Sequence, residues 1–145
     1  MPSSAPQLAE EKVRRTIARF CHLTDTGDFD NWVRLFTEDG CFVLMDKVYR
    51  GRDELRAFIE EDQPPELRGM HLTTDSVIEI SDDEARVVSN FLFVAAGRTA
   101  NVVVVTGRYH DILVPAGEDW LFARRETEIV GSVATEPWGA RAGMT

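Results

Sequence analysis

The second half of the chain constrains the fold most. Four long segments, Gly69–Ile80, Ala85–Ala96, Asn101–Val114 and Trp120–Gly131, are rich in Val, Ile, Phe and Thr, residues that suit a pleated, half-buried surface. Between them lie short runs of turn formers: Ser81-Asp82-Asp83-Glu84, Gly97-Arg98-Thr99, and Pro115-Ala116-Gly117-Glu118-Asp119. Parallel neighbours need a crossover of roughly a dozen residues, so connections this brief point to an antiparallel meander. Such a sheet must bury one face, and the cover has to come from the first half.

That half reads as helical. From Leu8, Val13, Ile17, Phe20 and Cys21 fall on one face, while Glu10, Glu11, Arg14, Arg15 and Arg19 lie elsewhere. Thr24-Asp25-Thr26-Gly27 ends the helix, with Gly27 suited to a left-handed cap. Asp28 is placed as the N-cap of a second helix whose apolar face is Phe29, Trp32, Val33 and Phe36. A turn at Glu38-Asp39-Gly40 and a short strand Cys41–Met45 follow. Tyr49-Arg50-Gly51 leads into a third helix, Arg52–Glu61, with Leu55, Phe58 and Ile59 inward and Gln63-Pro64-Pro65 as its stop. Met1–Gln7 is expected to fray, and Ser132–Thr145 is a tail without clear period, in which Trp138 covers an apolar patch. The expected class is α+β: one domain over residues 1–131, three N-terminal helices packed on one face of a curved, mainly antiparallel sheet.

Composition narrows the function classes. The chain has 145 residues, 16 basic against 25 acidic, for a formal charge of −9. It offers no basic stripe for phosphate contacts, so no nucleic-acid partner is expected. There is no apolar run near the ~18–20 residues that span a bilayer and no signal-like N-terminus, so neither membrane nor export is expected. Cys21 and Cys41 are too few for a disulfide framework or a Cys-based zinc site, and both sit in apolar segments as small buried hydrophobes. A cytoplasmic setting follows as the expectation. Nucleotide loops, dinucleotide glycine fingerprints, H-E-x-x-H and G-x-S-x-G are all missing, and no two of His22, His71 and His110 are spaced as metal ligands. Neither metal nor cofactor is expected, which leaves general acid–base chemistry from side chains.

A sheet curling over three helices encloses a pocket, and the candidates are the polar residues that face it. His71 begins a strand, where alternation puts His71, Thr73, Asp75 and Val77 on one face and Leu72, Thr74, Ser76 and Ile78 on the other. It is either a general base or a histidine bonded to loop backbone. Asp25 continues the apolar stripe Ile17, Cys21, Asp25 and is either a pocket carboxylate or a turn residue in water. His22 is placed in solvent. In Gly107-Arg108-Tyr109-His110-Asp111, alternation separates Gly107, Tyr109 and Asp111 from Arg108 and His110. Tyr109 then either presents its phenol to a ligand, with Gly107 leaving room, or packs across strands. Phe20, Trp32, Phe36, Phe42, Phe58, Phe91 and Phe93 supply an apolar lining or plain core.

Asp25-Thr26-Gly27-Asp28-Phe29-Asp30-Asn31-Trp32, followed by Leu35-Phe36-Thr37-Glu38-Asp39, resembles the opening of the SnoaL-like branch of the nuclear transport factor 2-like (NTF2-like) superfamily. Tyr49-Arg50-Gly51-Arg52-Asp53-Glu54-Leu55, Met70-His71-Leu72, Thr106-Gly107-Arg108-Tyr109-His110-Asp111 and Trp120-Leu121-Phe122-Ala123-Arg124-Arg125 continue the resemblance in order, from Leu8 to Gly131. It implies a cone-shaped α+β barrel with a deep pocket, assembled as a homodimer or homotrimer. Scytalone dehydratase and hexachlorocyclohexane dehydrochlorinase of this superfamily carry an Asp–His dyad, and Asp25 and His71 match its two positions. The resemblance implies His71 as general base, Asp25 as the group holding its tautomer, and Tyr109 as a polar pocket residue.

Two departures stand against a dehydratase substrate: Ala95 occupies the place of a second pocket histidine, and Thr24 that of a tyrosine. The implied activity is a cofactor-independent lyase or isomerase of the dehydratase or polyketide-cyclase kind. It would act on an apolar cyclic or aromatic molecule, bound by Phe20, Trp32, Phe42, Phe58, Phe91 and Phe93. The alternative is a non-catalytic ligand-binding or assembly subunit, like the small β subunit of ring-hydroxylating dioxygenases. A bonded Asp25–His71 pair in a closed cavity favours the enzyme; an exposed His71, or a cavity filled by phenylalanines, favours the subunit.

Overall fold

The computed structural model describes residues 4–97 and 99–133. Helix α1, Ala5–Thr26, starts three residues before Leu8 because Ser4 and Gln7 form a reciprocal capping box. The Ser4 hydroxyl accepts from the Gln7 amide, and Gln7 Oε1 accepts from the Ser4 amide at 2.9 Å. Residues 4–7 are therefore cap and first turn, in place of the expected fray; residues 1–3, and Trp138 in the tail, lie outside the described residues. At the other end Gly27 sits at φ +75°, and its N–H bonds to the carbonyls of Leu23 and Thr24. A side chain there would also collide with the Arg68 guanidinium, 2.4 Å from where its Cβ would be.

The second helix is shorter than the apolar spacing suggests. Asp28 caps it as expected, but α2 covers only Phe29–Trp32, and a 3₁₀ turn, Val33–Leu35, hands Phe36 to a strand. Strand β1 runs Phe36–Leu44, and β2, Lys47–Arg50, returns antiparallel to it. Glu38-Asp39-Gly40 is thus the irregular stretch inside β1, where the register against its other neighbour shifts between Phe36 and Cys41. The hairpin turn at Met45-Asp46 takes positive φ at both residues without a glycine. Helix α3, Arg52–Asp62, and a 3₁₀ turn, Pro65–Leu67, complete the cover.

The meander forms as expected: β3 Met70–Ile80, β4 Ala85–Ala96, β5 Asn101–Ala116 and β6 Asp119–Ser132. Strand order is β2-β1-β6-β5-β4-β3, with every pair antiparallel except β1–β6. The sheet does not close, since β2 and β3 remain its edges. Its inner face meets the helices through Val13, Ile17, Phe20, Trp32, Leu55 and Ile59 against Phe36, Val87, Phe91, Leu113 and Phe122. Thr16 ties α1 to the β5–β6 turn by donating to the Trp120 carbonyl at 2.5 Å. Both cysteines are buried and unpaired by disulfide.

Simple alternation fails along β3. His71 pairs with Phe93 and Thr73 with Phe91, but Asp75 and Ser76 together oppose Ser89, with Asp75 at φ +55°. This bulge reverses the phase. Ser76 and Ile78 turn inward, Ser76 meeting Ser89 at 2.8 Å, while Val77 points out at 64% exposure. Asp75 and Val77 therefore do not share the face of His71.

Candidate functional site

The end of α1 and the start of β3 meet at Asp25 and His71. Asp25 Oδ1 lies 2.6 Å from His71 Nδ1, and Asp25 Oδ2 accepts from the His71 backbone N–H at 2.9 Å. One carboxylate thus holds the main chain and the ring of the same residue. The pair is largely shielded, with side-chain exposures of 10% for His71 and 16% for Asp25. The imidazole also packs on the Phe93 ring, centroids 4.6 Å apart. An ionised carboxylate only accepts, so a contact with it places a proton on Nδ1, and in the neutral ring the lone pair is then on Nε2.

His71 opens onto a cavity of about 490 Å³ between the helices and the inner face of the sheet. That size lies in the usual range for small organic ligands, roughly 300–1,000 Å³. Phe20, Trp32, Phe42, Phe58, Phe91 and Phe93 all contribute to its wall, as does Tyr109. Phe36 does not; it is wholly core. Trp32 is itself fully buried, its indole N–H donating to Thr24 Oγ1 at 2.9 Å, so it belongs to the core as much as to the wall. The phenylalanines line this space without filling it. Ala95 is buried in a separate small cluster with Phe93 and Val104.

Tyr109 is clamped from both sides. Its ring stacks on Phe91 at 4.2 Å, and the Arg125 guanidinium lies 3.7 Å from its other face. Gly107 makes room, but for a neighbour and not for a ligand: Phe91 Cε1 is 2.5 Å from where a Cβ would sit. Burial pushes the Tyr109 phenol well above its usual range, with Arg125 opposing, so it is a neutral donor at physiological pH. Burial likewise raises the Cys21 thiol, whose Sγ is 3.1 Å from Thr73 Oγ1.

Beneath the tyrosine is a feature that sequence reasoning did not find. Arg125 and Asp111 are fully buried and joined by two bonds of 2.8 and 3.0 Å. The guanidinium also faces the rings of Phe20 and Phe122. Burial raises the Asp111 carboxyl, and Arg125 opposes that rise. The available signal was Asp111 on the inward face with Tyr109, a charge that needs a partner; Arg125 is its register mate across β5–β6. His22 is exposed, and His110 lies on the outer face bonded to Glu128 at 2.8 Å. Among the described residues no three His, Cys, Asp or Glu side chains converge as metal ligands. No helix among them is long and apolar enough to cross a membrane.

Residues 7–126 match the family defined by the SnoaL-like domain. No functionally curated protein gives a significant sequence match. A solved protein of unknown function from Mycobacterium tuberculosis, its structure that of an aspartate-to-asparagine variant, is 29% identical, with a TM-score of 0.82 over 92% of this chain and 78% of that one. A Nostoc punctiforme protein of unknown function with a cystatin-like fold is 23% identical, with a TM-score of 0.81 over 94% and 100%. A Novosphingobium aromaticivorans protein provisionally named a scytalone dehydratase is 21% identical, with a TM-score of 0.78 over 90% of each chain. At those last two identities the likeness concerns the fold.

Proposed function

The chain belongs to the SnoaL-like domain family, and on that premise we propose that it is a cofactor-independent lyase or isomerase, of dehydratase or cyclase type, acting on an apolar cyclic molecule. The observation that carries this reading is the 2.6 Å contact between Asp25 and His71 at the wall of an unfilled, aromatic-lined cavity. The likeness to a provisionally named scytalone dehydratase is consistent with it.

In this reading His71 Nε2 removes a proton from a carbon next to a carbonyl. Asp25 accepts from Nδ1–H, fixes the tautomer and stabilises the imidazolium that forms. Tyr109 donates its phenolic proton as a hydrogen bond to the oxygen that gains charge. The enolate then expels a leaving group from the β-carbon or takes a proton at another carbon. The imidazolium is the acid available to return that proton, which answers the missing histidine at Ala95.

The test is exchange of the α-protons of aromatic ketones, such as 1-tetralone, for deuterium in heavy water. His71→Ala is expected to fold, to bind the ketone and to lose exchange by about 10²–10⁴-fold, the usual contribution of a positioned base. Exchange at the wild-type rate in that variant removes the dyad from the mechanism.

A further inference from the structure

The described arginines divide into two groups. Arg14, Arg56, Arg86, Arg108, Arg124 and Arg125 pair with carboxylates, and Arg50, Arg52 and Arg68 donate to main-chain carbonyls. Among the described residues, only Arg15, Arg19 and Arg34 do neither. In a chain of 25 acidic residues against 16 basic ones, an unanswered guanidinium is the exception. All three line one pocket.

That pocket holds about 210 Å³ and lies between α1, the segment from α2 into the 3₁₀ turn, and the start of β6. It shares no wall residue with the cavity that His71 faces. Arg15 and Arg19 stand one turn apart on α1, where like charges repel, and Arg34 comes from the 3₁₀ turn. The three side chains are exposed, but the frame beneath them is fixed: Thr16 on α1 bonds to the Trp120 carbonyl, and Leu35 is 2% exposed. Asp119 also lines the pocket, yet it forms no ion pair with any of the three. Asp30, whose charge Arg34 feels, is engaged by Arg56.

We propose that this pocket binds a phosphate monoester dianion. Three positive charges against one carboxylate leave an excess of two, and the guanidinium fork matches phosphate oxygens in pairs. The volume is below the roughly 300 Å³ at which pockets for whole small molecules usually begin, so the pocket takes the phosphate group and little beyond it. The cations converge on one pocket and form no track, which suits a single phosphate and not a polymer backbone. They come from two elements apart in sequence, so no basic stripe announces them. The site is independent of the function proposed above.

The probe is glycerol 3-phosphate, too polar for the aromatic cavity, titrated into nitrogen-15-labelled protein at low ionic strength, where charge attraction is least screened. Saturable shifts at millimolar concentrations or below are expected at the backbone amides of Arg15, Arg19, Asn31 and Arg34, with that of His71 unmoved. Arg19→Gln and Arg34→Gln are each expected to weaken binding about 10-fold or more, the effect of losing a hydrogen bond between charged groups. Arg14→Gln removes the same charge from the next residue of α1, a side chain paired with Glu10, and is expected to leave the affinity within about 3-fold. Methyl sulfate, which carries a single charge on similar oxygens, is expected to bind about 10-fold more weakly. Shifts that do not saturate, or that centre on other residues, overturn the proposal. So does an affinity unchanged in Arg19→Gln and Arg34→Gln, or an equal loss in Arg14→Gln, which would assign the effect to overall charge. Equal affinity for methyl sulfate overturns the choice of a dianion and the proposal with it.

Discussion

Replacing Asp25 by asparagine changes two atoms' chemistry and almost no volume. In the native protein both carboxylate oxygens accept, one from the His71 backbone at 2.9 Å and one from the ring at 2.6 Å. An asparagine has one acceptor to offer. The backbone N–H cannot become an acceptor, so the amide oxygen stays with it and the amide NH₂ faces the ring. Nδ1 must then accept, and its proton moves to Nε2. The base that faced the cavity becomes a donor.

The folding cost is modest, since two charge-assisted bonds are exchanged for neutral ones, a difference of about 2 kcal/mol. For a domain of this length that lowers Tm by about 6–8 °C. The catalytic cost is larger: losing a positioned base removes about 10²–10⁴ in rate, or about 3–5 kcal/mol of barrier. Two measurements on Asp25→Asn decide the matter. Nitrogen-15 chemical shifts report the His71 tautomer, expected as Nδ1–H in the native protein and Nε2–H in the variant, and ketone exchange reports the chemistry. A variant that swaps the tautomer yet exchanges within about 3-fold of wild type would refute Nε2 as the base.

The buried pair behind Tyr109 makes a separate prediction. Arg125→Met leaves the buried Asp111 carboxyl without its partner, at a cost of about 3–5 kcal/mol in urea unfolding, whereas adding Asp111→Leu recovers most of it; equal losses in the single and double variants would contradict this account. Because burial raises the Tyr109 phenol, its phenolate is absent from an alkaline titration at 295 nm until well past the ordinary value of about 10. The difference between wild type and Tyr109→Phe isolates that signal. Below pH ~10 the group has no effect on stability; above it the unfolded chain ionises first, so stability falls as pH rises. A Tyr109 transition near pH ~10 in folded protein would count against the closed packing.

The four meander strands were legible to within about two residues because long β-branched runs end at dense turn clusters, a local signal. β2 was not: Lys47–Arg50 is four residues of which only Tyr49 is partly buried, against Phe58, and the turn before it lacks the glycine that usually announces positive φ. The second helix was overextended because Phe36 continues the apolar spacing of Phe29 and Trp32 while already lying in a strand. In the site, Asp25 stood out because a carboxylate continuing an apolar stripe has to be answered. Its meeting with His71, 46 residues on, needed the family resemblance as well as the local pattern. Asp111 and Arg125 were hidden for a different reason: their pairing depends on the β5–β6 register, which a shift between Ile112 and Leu113 offsets from what the turn alone would set.

The extra residue at Asp75 gives β3 two independent halves. On one side His71 and Thr73 answer to the helix end and the cavity; on the other Ser76, Ile78 and Ile80 answer to the core. Without the interruption, sliding the strand by one position would turn both halves over together. With it, the interruption absorbs the slip. The cavity-facing half can then be altered by insertion or substitution while the hydrophobic half keeps its seating, so the cavity wall can vary without renegotiating the fold.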